Sequence, residues 1–228
     1  MAKKKLQRFA EIKTFDNVFD HSQQGKHIPD FSLKGEWNKK YFKNDHPVVL
    51  ELGCGKGEYT IGLAQKYSQK NYIGIDLKGN RLWLGATAAL ENRMNNVAFL
   101  RTRVENIETI FDRGEVTEIW ITFPDPQPQK TRERKRLTSQ RFLNYYKKIL
   151  TAGGTVHLKT DNHPLYKYTL EIIKANNCYL LDSTCDLYGE RDNNINRVDV
   201  ASIKTFYEKK YLEAELKICY LSFKFASE

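Results

Sequence analysis

From Pro47 onward the chain alternates short apolar runs with segments of helical spacing, and this alternation restricts the fold more than any other feature. The runs VVLEL (48–52), NYIGID (71–76), VAFLR (97–101), EIWITF (118–123) and GGTVHLKT (153–160) have strand length and composition. Interleaved with them are EYTIGLAQKY (58–67), GNRLWLGATAALENRM (79–94), NIETIFD (106–112), TSQRFLNYYKKIL (138–150) and HPLYKYTLEIIKAN (163–176). Their apolar residues recur at helical intervals, and a Thr or Ser opens the fourth as an N-cap. Such alternation predicts an α/β fold with a doubly wound, mostly parallel sheet. YLEAELKICYLSFKF (211–225) alternates with no helix behind it, which fits a last strand joining antiparallel. Residues 1–45 lack this order. They carry nine Lys/Arg against five Asp/Glu up to Lys40 and read as a basic extension, draped or mobile, before a domain spanning 46–228.

Charge narrows the class of partner. Lys and Arg number 37 against 28 Asp and Glu, a net +9, which suits a polyanion such as nucleic acid as well as it suits a solvated basic surface. No run approaches the roughly 20 apolar residues that cross a bilayer, so no membrane partner is expected. The lysines after Met1 have no apolar stretch behind them, so no secretory leader is expected either. Cys54, Cys178, Cys185 and Cys219 are scattered without a CxxC pair, which favours reduced thiols in a cytoplasm. The five histidines show no ligand spacing, and no metal site is expected.

Gly53, Gly55 and Gly57 form a G-x-G-x-G run directly between a strand and a helix. Glycine there allows a tight turn and lets a ligand lie against bare backbone. Asp76 ends the next strand, where an acid can accept both hydroxyls of a ribose. In a dinucleotide fingerprint position 58 would be glycine or alanine, and here it is Glu58. Glu51 and Glu58 would repel a pyrophosphate but tolerate a cationic ligand. Spacing and charge sign therefore favour S-adenosylmethionine over NAD, and Cys54 reads as a small buried residue.

FPDPQPQKTRERKRLT (123–138) follows the fourth strand. Its three prolines exclude a helix interior and a central strand, and they restrain Asp125 at the strand's edge. Taken alone, Asp125 could be only a turn former. Five Lys/Arg and one acid follow between Lys130 and Arg136. Such charges form either a solvated loop or a phosphate-contacting one. After the fifth strand Asp161 could cap the helix that begins at His163.

ELGCGKG (51–57), GID (74–76), FPDPQPQKTRERKRL (123–137), LKTD (158–161) and the Thr205–Phe206–Tyr207–Glu208 element resemble, in that order, the bacterial tRNA (guanine-N7-)-methyltransferase family. The resemblance spans about Val48 to Tyr211. It implies a class I methyltransferase (Rossmann-like) fold with a seven-stranded sheet. It also implies methyl transfer from S-adenosylmethionine to N7 of a guanine in the variable loop of tRNA, at the position numbered 46. Carried over, Glu51, Gly53, Gly55, Asp76 and Asp125 would meet the methyl donor, and Asp125 would be the catalytic acid. Gln129, Lys130, Asp161, Thr205, Tyr207 and Glu208 would hold the tRNA.

Three positions depart from the family pattern. Gln127 stands where tryptophan is common, Gln129 where a substrate-binding lysine is common, and Arg103 at the cofactor-side position usually held by an acid, with Glu105 nearby. Competing expectations are a class I methyltransferase for another RNA and a non-catalytic RNA-binding protein on the same fold. Monomer and homodimer both remain open.

Overall fold

The computed structural model describes residues 2–25, 27–189 and 195–226. A helix α1 (Ala2–Glu11) and a 3-10 turn (Ile12–Thr14) lead into strand β1 (Val18–Asp20), and a π-helical segment covers Trp37–Phe42. Then come β2 (Val48–Leu52), α2 (Glu58–Lys66), β3 (Asn71–Asp76), α3 (Gly79–Glu91) and β4 (Val97–Arg101). After a 3-10 turn (Val104–Thr109) follow β5 (Val116–Thr122), a second such turn (Lys130–Lys135), α4 (Gln140–Ile149) and β6 (Leu150–Thr160). The chain continues through α5 (His163–Ala175), β7 (Tyr179–Thr184), α6 (Ile195–Ser202), α7 (Phe206–Glu213) and β8 (Cys219–Lys224).

The strands form one sheet in the order β1-β4-β3-β2-β5-β6-β8-β7. All neighbours from β1 to β6 are parallel, and β8 runs antiparallel between β6 and β7. The doubly wound fold and the antiparallel final strand match expectation, but the strand count does not: among the described residues the sheet has eight strands, not seven. β1 pairs only three residues with β4, too few for any sequence period to mark it. The expected strand over 211–225 is shorter, because its first part continues α7 to Glu213.

All five residues of β2 are buried, as are the first five of β3 and the first four of β4. Strands covered on both faces need such continuous apolar runs. One face packs Trp37, Leu50, Ile73, Phe111 and Phe142, and the other Ile12, Tyr59, Leu82, Phe99 and Trp120. Trp37 is fully buried, and its indole N–H donates to the Ile110 carbonyl at 3.2 Å. The stretch marked as an extension thus contributes a strand and core side chains.

Candidate active site

The strand order reverses between β2 and β5, the switch point beyond whose carboxyl ends a doubly wound fold keeps its ligand crevice. The loop after β2 and the proline-rich turn after β5 are its two lips. The loop curls back on β3, with the Gly53 and Cys54 N–H groups both donating to the Ile75 carbonyl at 2.8 and 2.9 Å. Gly53, Gly55 and Gly57 all have left-handed φ, at 75°, 57° and 74°. They differ in what surrounds them. A Cβ on Gly53 would meet nothing within 4 Å, whereas one on Gly57 would lie 2.6 Å from the Phe99 ring. Gly53 leaves room for a ligand, while Gly57 lets the loop close on the core.

The two acids expected at this loop are employed differently. Asp76 is half-buried and accepts from the N–H of Gly55 at 3.0 Å and of Lys78 at 2.8 Å, so it fixes the loop beside the crevice. Glu51 is buried below the loop. It accepts from the backbone and hydroxyl of Thr60 and, at 2.6 Å, from the Thr122 hydroxyl. Burial pushes its carboxyl up to about 7, against the pull of those donors. Glu51 ties β2 to α2 and β5 in this structure. Arg103, half-buried, precedes the 3-10 turn after β4, beside the end of β3.

Across the crevice, Phe123 donates its N–H to the Lys159 carbonyl at 2.8 Å and then takes φ +48°. Gln127 is also left-handed at φ +44°, and its N–H donates to Asp125 Oδ1 at 3.0 Å. Two non-glycine residues in this region cost about 1 kcal/mol or more each, so the surrounding structure over-determines the turn. Its product is an exposed Asp125 carboxylate held between prolines.

The basic run folds into a 3-10 turn, not an open loop. Gln129 and Lys130 begin it, both exposed, as are Arg132, Arg134 and Lys135. Arg136 is different: its guanidinium lies 4.3 Å over the Tyr168 ring, and Nε donates to the Gln127 carbonyl at 3.2 Å. It braces the Asp125 turn from behind.

Asp161 follows β6, but Asn162 is the residue that caps α5, accepting from Leu165 N–H at 2.9 Å. Thr205 and Glu208 form a capping box at the start of α7. Glu208 is fully buried against Lys159, and only Tyr207 of the three C-terminal candidates is exposed. Lys159 was missed in the sequence. A lysine inside the apolar strand run HLKT was its only signal, since such a residue needs a buried acid.

No group of three or more His, Cys, Asp or Glu side chains suited to a metal occurs among the described residues, and no helix there is long and apolar enough to cross a membrane.

The family described as "Putative methyltransferase" matches residues 45–221. A protein of Christiangramia forsetii named tRNA (guanine-N(7)-)-methyltransferase is 48% identical over 98% of both chains. A protein of Bacteroides thetaiotaomicron with the same name is 45% identical over all of this chain and 88% of its own length. Among solved structures, the 16S rRNA methyltransferase KamB is similar with a TM-score of 0.64 at 16% identity, over 89% of this chain and 98% of that one. An antibiotic-related methyltransferase gives 0.62 at 16% identity, over 90% and 99%.

Proposed function

The chain belongs to the tRNA (guanine-N(7)-)-methyltransferase family and has the class I methyltransferase fold, and from that premise we propose how its residues methylate guanine N7 in tRNA. The cofactor is S-adenosylmethionine, which supplies when bound an electrophilic methyl group on a sulfonium. The crevice suits it: the open backbone at Gly53 admits a ligand, and the carboxylates Glu51 and Glu58 flank the loop, which suits a cationic sulfonium better than a pyrophosphate. Gly53 and Gly55 would present bare backbone, Asp76 would accept from the ribose hydroxyls, and Arg103 would border the adenosine end. Glu51 would act indirectly, by holding the loop in shape.

Guanine N7 offers an in-plane lone pair and carries no proton, so no residue has to remove one. Alignment and electrostatics remain as the means of catalysis. Asp125 suits both. Its carboxylate can accept from the N1–H and exocyclic amine of guanine, and its charge favours the cationic product base. Gln129, Lys130, Arg132, Arg134 and Lys135 would contact phosphates, and Asp161 and Tyr207 would border the bound strand. Position 46 in the variable loop is the guanine this reading selects, and the cytoplasm is its site of action.

The observation that carries the proposal is the exposed Asp125, fixed at the end of β5 across from the glycine loop of β2. Labelled methyl transfer to unmodified tRNA, followed by chemical cleavage at N7-methylguanine, tests it. Cleavage at position 46 is the expected result. Label without cleavage there, or transfer only to rRNA, would overturn it.

A further inference from the structure

The sheet fixes the roots of the crevice's two lips but not their tips. Asp125 stands three residues beyond the end of β5, and the glycine loop runs for five residues, 53–57, beyond the end of β2. α7 crosses between these tips. At one end Glu58, directly after the loop, accepts at 2.8 Å from the N–H of Phe206, the first residue of α7, and the Lys56 ammonium lies 4.3 Å over the Phe206 ring. Further along the helix the Tyr211 ring packs 5.7 Å from Phe123, two residues before Asp125. Between those attachments α7 rises roughly 7.5 Å, at 1.5 Å per residue.

The attachment at Glu58 is specific. The first N–H groups of a helix have no partner within it, and a carboxylate there meets both a donor and the positive end of the helix dipole. Glu58 supplies that carboxylate from another helix, 148 positions earlier. The segment ahead of α7 lies along the same stripe of α2. A Cβ on Gly62 would stand 2.6 Å from Ile203, and Lys66 reaches Asp199 at 2.7 Å. Positions 58, 62 and 66 recur every fourth residue, so they share one face. α2 therefore carries α7 in register with the donor loop.

We propose that α7 is a strut that sets the distance between methyl donor and target guanine, with Glu58 and Tyr211 as positioning residues at its two ends. This rests on the tRNA methyltransferase reading and deepens it, and it needs no contact between those two side chains and RNA. In-line transfer is sensitive to the separation and angle of the reacting atoms. A lip displaced by about 1 Å lowers turnover without weakening the hold on either substrate.

Steady-state rates with full-length protein and tRNA, beside donor titrations, test the strut. Glu58→Ala and Tyr211→Ala should each lower kcat about tenfold, with KM for tRNA and donor affinity within about twofold of wild type. Cutting both ends of one strut does no more than cutting one, so the double variant should also lose about tenfold, not about a hundredfold. Glu58→Gln keeps an acceptor and Tyr211→Phe keeps the ring, so both should recover most of the rate. Glu58→Asp keeps the charge but falls short of Phe206, and should behave as alanine does. Glu58 is exposed, so its variants keep the test open if Tyr211→Ala folds poorly. Unchanged kcat in the alanine variants, losses that multiply, or a raised KM for tRNA alone would overturn the strut. So would Glu58→Ala that loses only donor affinity. Wild-type protein that methylates no guanine N7 would instead overturn the functional reading beneath it.

Discussion

Lys159 and Glu208 meet at 2.7 Å with both side chains fully buried. Tyr188 also donates to Glu208 at 2.7 Å, and the Lys159 ammonium donates to the carbonyls of Val200 and Ile203 at 3.1 and 3.2 Å. The pair therefore bolts α6 and α7 onto β6. Removing one partner strands a charge, whereas removing both does not. Lys159→Met should cost about 3–5 kcal/mol in chemical denaturation, and Lys159→Met with Glu208→Leu should regain most of it. A single variant within about 1 kcal/mol of wild type would contradict this account.

Stability should respond to pH through two buried groups of opposite sense. His157 stacks on Trp120 at 3.9 Å, and burial lowers its ring to about 4, below the 6.5 of an unfolded histidine. As pH falls from 6.5 toward 4 the unfolded chain binds a proton that the native one refuses, so stability falls. Burial raises Glu51 from 4.5 to about 7, so stability falls as pH rises across that window. The effects oppose between 4.5 and 6.5. His157→Phe should leave a stability that declines as pH rises from 5 to 7, and Glu51→Gln one that climbs from 5 to 6.5, each by up to about 2 kcal/mol. Urea unfolding at several pH values decides it, and parallel profiles in the two variants would refute the opposition.

The glycines of the loop should separate binding from folding. Gly57→Ala drives a methyl into Phe99 at a left-handed position and should cost about 2–3 kcal/mol. Gly53→Ala meets open space, so its loss should be about 1 kcal/mol of backbone strain. Its methyl would nonetheless occupy the ligand's face. Calorimetric titration with S-adenosylmethionine should show affinity reduced at least tenfold for Gly53→Ala.

Asp125→Asn keeps an acceptor for the Gln127 N–H but loses the charge. Turnover should fall about 100-fold or more while donor affinity holds, because the carboxylate's task concerns the base. Steady-state rates beside donor titrations separate the two, and near-normal turnover would remove Asp125 from the chemistry.

Arg134 and Arg136 should part company under salt. Arg134→Gln should reduce the slope of log affinity for tRNA against log salt by about one unit, the signature of one lost phosphate contact. Arg136→Gln should leave the slope nearly unchanged, yet lower turnover by loosening the Asp125 turn. Equal slope changes would mean that Arg136 also reaches the RNA.

The five parallel strands beyond Pro47 were legible because each is a buried apolar run joined to a helix by turn residues. The crevice followed from them, since the glycine loop and Asp125 both end strands. β1 was not legible, because three paired residues carry no period. The burial of Glu208 was hidden as well, for its partner lies 49 positions away and only the closing of α7 over β6 brings them together. The bonds from Thr60 and Thr122 to Glu51 were hidden too, because the sequence names the loop but not the threonines beneath it.

Phe123 and Gln127 both hold backbone angles that their side chains disfavour. A turn of this kind cannot nucleate anything, because in the open chain those two residues abandon it. It forms only once β6 offers the Lys159 carbonyl to Phe123 and Arg136 has seated on Tyr168. The carboxylate at its tip therefore depends on contacts supplied by β6 and α5. A chain that has paired β5 with β6 poorly would keep its helices and its donor crevice and still be silent toward RNA.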